Sequence, residues 1–219
     1  GGYYYVGKPY VEAITNSNGL PILLTPDFKK ENIDECINQI ISTVDGLIFS
    51  GGGDAKKFSK ENLPSLKEQQ PERYYFESKL MKKAWDNGIP VLGICRGYQM
   101  IIEVFGGSLS DKTINGHKQN IPGYESWHKV NVKEGSLFYN LLNESEWAVN
   151  SFHIQAVENV PDNFIASIVS EDGIIEGVES TSERFFAGVQ FHPEELAYKD
   201  KKAISFFSEF IKRVNINRR

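Results

Sequence analysis

The chain has 219 residues, of which 40% are hydrophobic and 24% charged, and its formal net charge at pH 7 is −5. This length and composition suit one large α/β domain spanning residues 1–219, and the acidic balance argues against a nucleic-acid partner. No apolar stretch approaches the roughly 20 residues that span a bilayer and no signal peptide is visible, so we expect no membrane association.

Short apolar runs alternate with helical patterns along the chain. The predicted strands are residues 21–25, 46–50, 90–94, 130–132, 148–152, 165–169, 174–178 and 185–191. The first three are unbroken apolar runs, as in parallel strands that are covered on both faces. The later runs alternate more, which is typical of antiparallel or edge strands. This order predicts an α/β fold with a central, mostly parallel sheet.

Helical periodicity predicts helices at 33–41, 72–87, from just after Cys95 to 105, and 200–214. Cys36 falls on the apolar stripe of the first helix, so we assign it to the core. The polar stretch 54–70 predicts a long surface loop beside a site. Two cysteines in a chain of this length do not form a disulfide framework, so a reducing cytoplasm is the expected location.

The most informative segment is Gly93-x-Cys95-x-Gly97, which joins a predicted strand to a predicted helix. Glycines two residues either side of a nucleophile permit a very sharp turn at which larger side chains would collide. The turn exposes the Cys95 thiol at a strand's carboxyl end and at a helix N-terminus, whose dipole favours the thiolate. The alternative is a buried cysteine in a glycine-rich turn, but the context favours a nucleophile.

A thiol nucleophile needs a base, usually histidine, and a group that orients the base. His192 directly follows the apolar run 185–191, so it should lie at a strand end, on the same edge of the sheet as Cys95. A lone histidine in such a place is more often a polar loop residue, but Glu194 is close enough to turn back and fix its tautomer. Spacing alone leaves Glu195 open as the orienting group.

The other three histidines have less defined roles. His153 ends a predicted strand and is a candidate for lining the substrate pocket. His117 and His128 flank a loop that contains Gly, Pro and Trp, where they would contact substrate or lie on the surface. Because the four histidines are far apart in sequence and show no metal-ligand spacing, we expect no metal and no cofactor.

Three consecutive glycines at residues 51–53 follow the predicted strand 46–50. Their backbone N–H groups could stabilise the oxyanion of acyl transfer, so Gly52 or Gly53 is one predicted donor and the amide of Arg96 the second. A phosphate-binding loop and a plain tight turn are the alternatives. No Lys-Ser/Thr pair follows as in a P-loop, which argues against phosphate.

Together these motifs resemble the class I glutamine amidotransferase superfamily. Within it, the chain is most similar to the gamma-glutamyl-gamma-aminobutyrate hydrolase family, and the similarity covers nearly the whole chain. The segments that carry it are Gly93-Ile-Cys-Arg-Gly-Tyr-Gln99, Asn150-Ser-Phe-His-Ile-Gln155, Asp172-Gly-Ile-Ile-Glu176, Gly188-Val-Gln-Phe-His-Pro-Glu194, Tyr10-Val-Glu-Ala-Ile14 and Gly19-Leu-Pro-Ile-Leu23.

The resemblance implies a flavodoxin-like three-layer sandwich and a catalytic triad of Cys95, His192 and Glu194. It implies hydrolysis of a γ-glutamyl amide bond in a small-molecule substrate, with Gln99 helping to hold the glutamyl end. It also implies a stand-alone hydrolase without a cofactor, and it leaves a homodimer open.

The chain departs from this family pattern at three points. Residues 53–55 read Gly-Asp-Ala where the family has Val-Asp-Pro, Ile154 stands in place of a second histidine, and an aspartate expected shortly before Glu77 is replaced. These departures leave the triad intact but concern specificity for the amine. The family's first strand, ahead of Tyr10, also has no counterpart.

We therefore expect a cysteine-dependent hydrolase that releases glutamate and an amine through a thioester, with γ-glutamyl-γ-aminobutyrate as an example substrate. One alternative is a glutaminase module that supplies ammonia to a partner synthetase. The other is a non-catalytic protein that binds a γ-glutamyl ligand. The sequence does not define the amine that departs.

Overall fold

A computed structural model describes residues 2–52 and 62–216. Its helices are α1 (Lys8–Asn16), α2 (Ile33–Thr43), α3 (Leu66–Gln69), α4 (Pro71–Asp86), α5 (Arg96–Val104), α6 (Leu137–Leu142), α7 (Pro193–Leu196) and α8 (Lys201–Ile216). Its strands are β1 (Leu47–Phe49), β2 (Val91–Ile94), β3 (Ser108–Leu109), β4 (His128–Val132), β5 (Glu146–Val149), β6 (Val157–Asn159), β7 (Phe164–Ser170), β8 (Ile175–Ser180) and β9 (Phe186–Val189).

The main sheet has the order β1-β2-β9-β8-β7-β4-β5, and β3 pairs with β6 separately. Parallel pairing joins β1, β2 and β9. Antiparallel pairing joins the remaining strands of the sheet, as their alternating patterns predicted. The later run 185–191 is the exception, because it forms β9, which pairs in parallel with β2. The three parallel strands therefore end at one edge, which brings the segments after residues 49, 94 and 189 together.

Helices cover both faces of the sheet and produce three layers. On one face, Phe207 of α8 packs in a cluster with Leu92 of β2. On the other face, Leu80 of α4 and Ile101 of α5 pack in a cluster with Val91. Neighbouring residues of β2 thus serve opposite cores because side chains alternate along a strand. The predicted α/β class and three-layer sandwich are confirmed.

The predicted helices correspond to α2, α4, α5 and α8, with boundaries that agree to within two residues. The strand predicted at 21–25 is wrong. Ile22 and Leu23 are 62% and 51% exposed and lie in no strand. A groove of about 1390 Å³ is lined by this segment and by β1. Because this groove separates residues 21–25 from β1, the segment forms no ladder hydrogen bonds with another strand of the described residues.

Two smaller expectations also need correction. The stretch predicted as a loop at 54–70 includes α3, whose first turn is capped reciprocally by Ser65 and Glu68. Residues 53–61 of that stretch lie outside the described part of the chain. Cys36, expected in the core, is only partly buried, whereas Ile33 and Ile37 on the same stripe are buried.

In the described ranges, every helix is too short or too polar to cross a membrane.

Candidate active site

Cys95 lies at the sharp turn between β2 and α5, with φ +51° and ψ −104°. A positive φ is strained for a non-glycine residue and clusters at functional sites. The backbone N–H of Cys95 donates to the carbonyl of Val189 at 2.8 Å, so the neighbouring strand β9 supports the turn. The strand-turn-helix context predicted for this cysteine is confirmed.

The two flanking glycines are required by close backbone packing. A Cβ added at Gly97 would lie 1.9 Å from the carbonyl oxygen of Phe49, and one added at Gly93 would lie 2.6 Å from the carbonyl oxygen of Gly97. Separations under 3.0 Å to a backbone atom force the backbone to move. The collision predicted from the sequence pattern is therefore present at both positions.

His192 follows β9 and is paired with a buried carboxylate. Its Nδ1 lies 2.6 Å from Oε1 of Glu194, whose side chain is 1% exposed. Of the two adjacent glutamates that spacing left open, Glu194 is the one that contacts the imidazole. Burial lowers the pKa of His192, but the charges of Glu194 and Cys95 outweigh it and hold that pKa well above its usual value.

Gly51 lies between Cys95 and His192. A Cβ added at Gly51 would lie 2.9 Å from Cε1 of His192 and 3.5 Å from Cβ of Cys95. The glycine after β1 therefore borders both side chains, as expected for three parallel strands that end at one edge. Only a residue without a side chain fits there.

Asn150 holds the backbone of His192. Its Oδ1 accepts from the His192 N–H at 2.7 Å, and its Nδ2 donates to the His192 carbonyl at 2.9 Å and to the Gly123 carbonyl at 2.6 Å. The ring of Phe152 packs edge-on against the imidazole, with centroids 5.7 Å apart. Sequence reasoning did not assign these roles, although Asn150 opens one of the motifs that it singled out.

The glycine loop after β1 is held from two sides. The Gly51 N–H donates to the Tyr10 hydroxyl at 2.9 Å. The guanidinium of Arg73 donates to the carbonyl of Ser50 at 3.0 Å and to that of Gly51 at 3.3 Å. Burial and the charge of Glu194 raise the pKa of Tyr10 far above its usual value, so its hydroxyl stays protonated.

The structure describes one of the two glycines that were predicted to stabilise the oxyanion. Gly52 has φ +128°, a conformation that favours glycine, and Gly53 lies outside the described residues.

Arg96 belongs to a buried ion-pair network. Its side chain is 2% exposed and its Nη1 pairs with Oε2 of Glu77. Glu77 also accepts from Nε of Arg73 at 2.7 Å, so one carboxylate joins two cations. The Arg96 side chain is thereby directed into the protein. Its backbone amide is in the first turn of α5, where N–H groups have no intrahelical acceptor.

The other two residues predicted to contact substrate, Gln99 and His153, contact other residues of this chain. Nε2 of Gln99 donates to the carbonyl of Gln155 at 3.1 Å and to the side chain of Gln190 at 3.0 Å. Nδ1 of His153 lies 3.1 Å from the Gln155 carbonyl, and Nε2 lies 3.2 Å from Glu176. Substrate binding by Gln99 and His153 stays a prediction.

Three histidines that are distant in sequence converge on one carboxylate. His117, His128 and His153 have ring nitrogens 3.0, 3.8 and 3.2 Å from Oε1 of Glu176. The expectation that His117 lies on the surface or contacts substrate is wrong in its first part, because it is 3% exposed. Burial raises the pKa of Glu176, but His153 and His117 outweigh it and lower that pKa to about 2.

Sequence spacing gave no sign of this cluster. His117, His153 and Glu176 offer ligand atoms within 4.8 Å of one another and could hold a metal ion.

Known proteins resemble this chain in sequence. It is 32% identical over 97% of its length to PB2B2.05 of Schizosaccharomyces pombe, which is provisionally named a glutamine amidotransferase, and covers 83% of that protein. Protein NtpR of Enterococcus hirae is 32% identical, with 87% of this chain and 81% of NtpR covered. Gamma-glutamyl-gamma-aminobutyrate hydrolase PuuD of Escherichia coli K12 is 29% identical, and the alignment covers 85% of this chain and 77% of PuuD.

A solved structure shares the fold. A Thermoplasma acidophilum protein, provisionally named as a GMP synthase subunit, superposes with a TM-score of 0.60 at 22% identity, over 88% of this chain and 92% of that one.

Residues 1–194 match the family model described as Peptidase C26. With the geometry around Cys95, this match places the chain in the Peptidase C26 family of class I glutamine amidotransferase-like proteins.

Proposed function

We propose that this chain hydrolyses γ-glutamyl amide bonds through a thioester on Cys95, with His192 as acid and base and Glu194 as its orienting carboxylate. The observation that carries the proposal is the 2.6 Å contact between His192 and Glu194, at a histidine that shares Gly51 as a neighbour with Cys95. This is the arrangement of nucleophile, base and orienting group that acyl transfer requires.

The first step forms the thioester. The Cys95 thiolate attacks the γ-carbonyl carbon, and the carbonyl oxygen becomes an oxyanion. We assign the backbone amides of Gly52 and Arg96 as its donors, since the Gly51 amide already donates to Tyr10. The raised pKa of His192 keeps its imidazole protonated, so it gives that proton to the amine nitrogen as the oxyanion collapses and the C–N bond breaks.

The second step releases glutamate. Once the amine has left, neutral His192 can take a proton from water, which attacks the thioester carbonyl. The tetrahedral intermediate then collapses, and the C–S bond breaks. Glutamate leaves, and Cys95 and His192 return to the charged pair. Throughout, Glu194 holds Nδ1, so Nε2 is the nitrogen that exchanges protons.

The γ-glutamyl amide class is supported by the name of the PuuD relative. We propose a stand-alone reaction on the same substrate class. The S. pombe relative's name favours a second candidate, a glutaminase that passes ammonia to a partner. Both candidates use the same thioester chemistry, and they differ in the substrate that they accept. A substrate panel therefore separates them.

The test incubates the protein with γ-glutamyl-γ-aminobutyrate, other γ-glutamyl amines and glutamine, and measures free glutamate. We expect release from γ-glutamyl amines and little from glutamine. Release from glutamine alone would favour the ammonia-supplying candidate. No release from any amide, together with no labelling of Cys95 by a γ-glutamyl electrophile, would refute the enzyme and favour a binding protein.

A matched pair of variants assigns the nucleophile. Cys95→Ala should abolish glutamate release, whereas Cys36→Ala, at the partly buried cysteine of α2, should leave it unchanged. Circular dichroism confirms that each variant is folded. Substantial turnover by folded Cys95→Ala would contradict the thioester mechanism.

A further inference from the structure

No step of the proposed hydrolysis uses the side chains of the cluster formed by His117, His128, His153 and Glu176. Glu176 lies in β8 with a side chain that is fully buried, and the side chains of His117 and His153 are each 3% exposed. His128 begins β4 and its side chain is 18% exposed, although its Nε2 is buried. We call these four residues the histidine cluster.

In each histidine of the cluster, we call the ring nitrogen that faces Glu176 the inner nitrogen and the other the outer nitrogen. Each outer nitrogen lies next to an oxygen that can only accept a hydrogen bond. Nδ1 of His153 faces the Gln155 carbonyl at 3.1 Å, and Nδ1 of His128 faces its neighbour's carbonyl, at Lys129, at 3.2 Å. Nε2 of His117 lies 3.1 Å from the Asp172 carboxylate. All three outer nitrogens must therefore carry hydrogen.

The inner nitrogens then have lone pairs. A neutral imidazole has one N–H, so the nitrogen that faces Glu176 is an acceptor in each ring. Three lone pairs directed at a buried carboxylate repel it. The arrangement is stabilised by positive charge beside the carboxylate, carried either by a protonated ring or by a cation that lies among the four groups.

Two unpaired atoms favour the cation. Among the described residues, Oε2 of Glu176 and Nε2 of His128 are buried and have no hydrogen-bond partner. Buried polar atoms without a partner lose the hydrogen bonds that they would make with water, so each destabilises the fold. A metal ion would satisfy both atoms.

The spacing of the ligand atoms fits a small metal ion. Zinc bonds of about 2.0–2.2 Å in tetrahedral geometry place neighbouring ligand atoms roughly 3.3–3.6 Å apart. The inner nitrogens of His117, His153 and His128 lie 3.0, 3.2 and 3.8 Å from Oε1 of Glu176. Outer N–H groups held by carbonyls and a carboxylate are also the usual surroundings of metal-bound histidines.

We propose that the histidine cluster is a binding site for one divalent transition metal ion of the zinc class. His117, His153 and Glu176 offer three ligand atoms within 4.8 Å of one another, and Nε2 of His128, 3.8 Å from Oε1 of Glu176, is the candidate for the fourth. Four protein ligands would fill a tetrahedral shell, as in structural zinc sites. The ion joins β4 and β8 to the segment that carries His153. Three residues earlier, that segment supplies Asn150, which holds His192.

The direct test uses untagged Cys95→Ala protein, because removing that thiol excludes metal binding at the nucleophile. The protein is stripped with a chelator and titrated with Co²⁺, whose visible absorption is strong in four-coordinate sites and weak in six-coordinate ones. We expect one equivalent of Co²⁺ with strong absorption, displaced by Zn²⁺. Absence of binding at micromolar metal, or weak six-coordinate absorption only, would overturn the proposal.

Variants locate the ion. In the same Cys95→Ala background, Glu176→Gln and His153→Ala should each weaken Co²⁺ binding at least tenfold and remove the metal-induced rise in Tm. His192→Ala changes the fourth histidine of the chain, outside the cluster, and should keep the full absorption. Equal binding by folded Glu176→Gln and the parent would overturn the assignment, as would loss of the signal in His192→Ala alone.

Discussion

Asn150 and His192 are joined by two hydrogen bonds in opposite directions, from the His192 N–H to Oδ1 at 2.7 Å and from Nδ2 to the His192 carbonyl at 2.9 Å. The side chain of His192 is thus oriented by Glu194 and its backbone is held by Asn150. Because the Asn150 amide is engaged by the backbone of His192 and Gly123, it acts through the position of the imidazole.

The first prediction removes this support. Asn150→Ala should lower kcat/KM for glutamate release about 100-fold, because a displacement of the base by about 1 Å has that effect. It should also slow alkylation of Cys95, which depends on the same histidine. Asn131→Ala, at an exposed asparagine on β4, is the matched control and should change neither rate. Wild-type rates in folded Asn150→Ala would contradict the positioning role.

The second prediction concerns the turn that presents the nucleophile. Gly97→Ala would place a methyl group 1.9 Å from the Phe49 carbonyl oxygen. Neither atom belongs to a flexible side chain, so we expect a loss of about 3 kcal/mol or more in the free energy of unfolding. Urea denaturation measures it.

Gly7→Ala is the matched control for Gly97→Ala, because the nearest atoms to its added Cβ lie at 3.6 Å. It should change stability by less than about 0.5 kcal/mol. Equal stability of the two variants would show that the turn can relax around a methyl group.

The places of Cys95 and His192 in the fold could be predicted because each signal is local. Gly93, Cys95 and Gly97 mark a strand-to-helix turn within five residues, and His192 directly follows an apolar run. Parallel strands that end together then bring distant motifs to one edge. The strand predicted at 21–25 failed because its apolar run says nothing about whether a partner strand is within reach.

The histidine cluster had no local signal. His128 and Glu176 belong to β4 and β8, which flank β7 in the sheet. His117 and His153 are joined by a backbone hydrogen bond of 2.9 Å across 36 residues of sequence. Spacing rules for metal sites describe ligands on one hairpin or helix, so they miss ligands that only the sheet order brings together.

The third prediction concerns the ion pairs behind the glycine loop. Glu77→Ala would leave the buried guanidinium of Arg96 without its carboxylate and release Arg73, which holds the Ser50 and Gly51 carbonyls. Removing one partner of a buried pair typically costs about 3–5 kcal/mol. Urea unfolding should show this loss.

The control is an ion pair on the surface. Asp34 pairs with Lys79 at 2.7 Å and is 77% exposed, so Asp34→Ala should cost less than about 1 kcal/mol. A loss below about 1 kcal/mol for Glu77→Ala as well would mean that water reaches Arg96 and that the network is not desolvated.

The fourth prediction uses the pKa of His192. Glu194 and Cys95 raise that pKa well above its usual value, so protonated His192 persists into alkaline solution. Because the proton is needed by the leaving amine, kcat/KM should fall only as the pH rises through the raised pKa. Glu194→Gln removes one cause of the increase, so the alkaline fall should move to lower pH, and kcat/KM at pH 7.5 should drop at least tenfold.

Glu195→Gln is the matched control, because Glu195 is adjacent in sequence and interacts with His192 through charge alone, whereas Glu194 also contacts Nδ1 of the imidazole at 2.6 Å. Its alkaline fall in kcat/KM should stay much closer to that of the wild type than the fall of Glu194→Gln does. If Glu195→Gln moved the profile and Glu194→Gln did not, the orienting carboxylate would be the other glutamate, and the 2.6 Å contact would not describe the active state. If neither moved it, the alkaline fall would belong to a group other than His192.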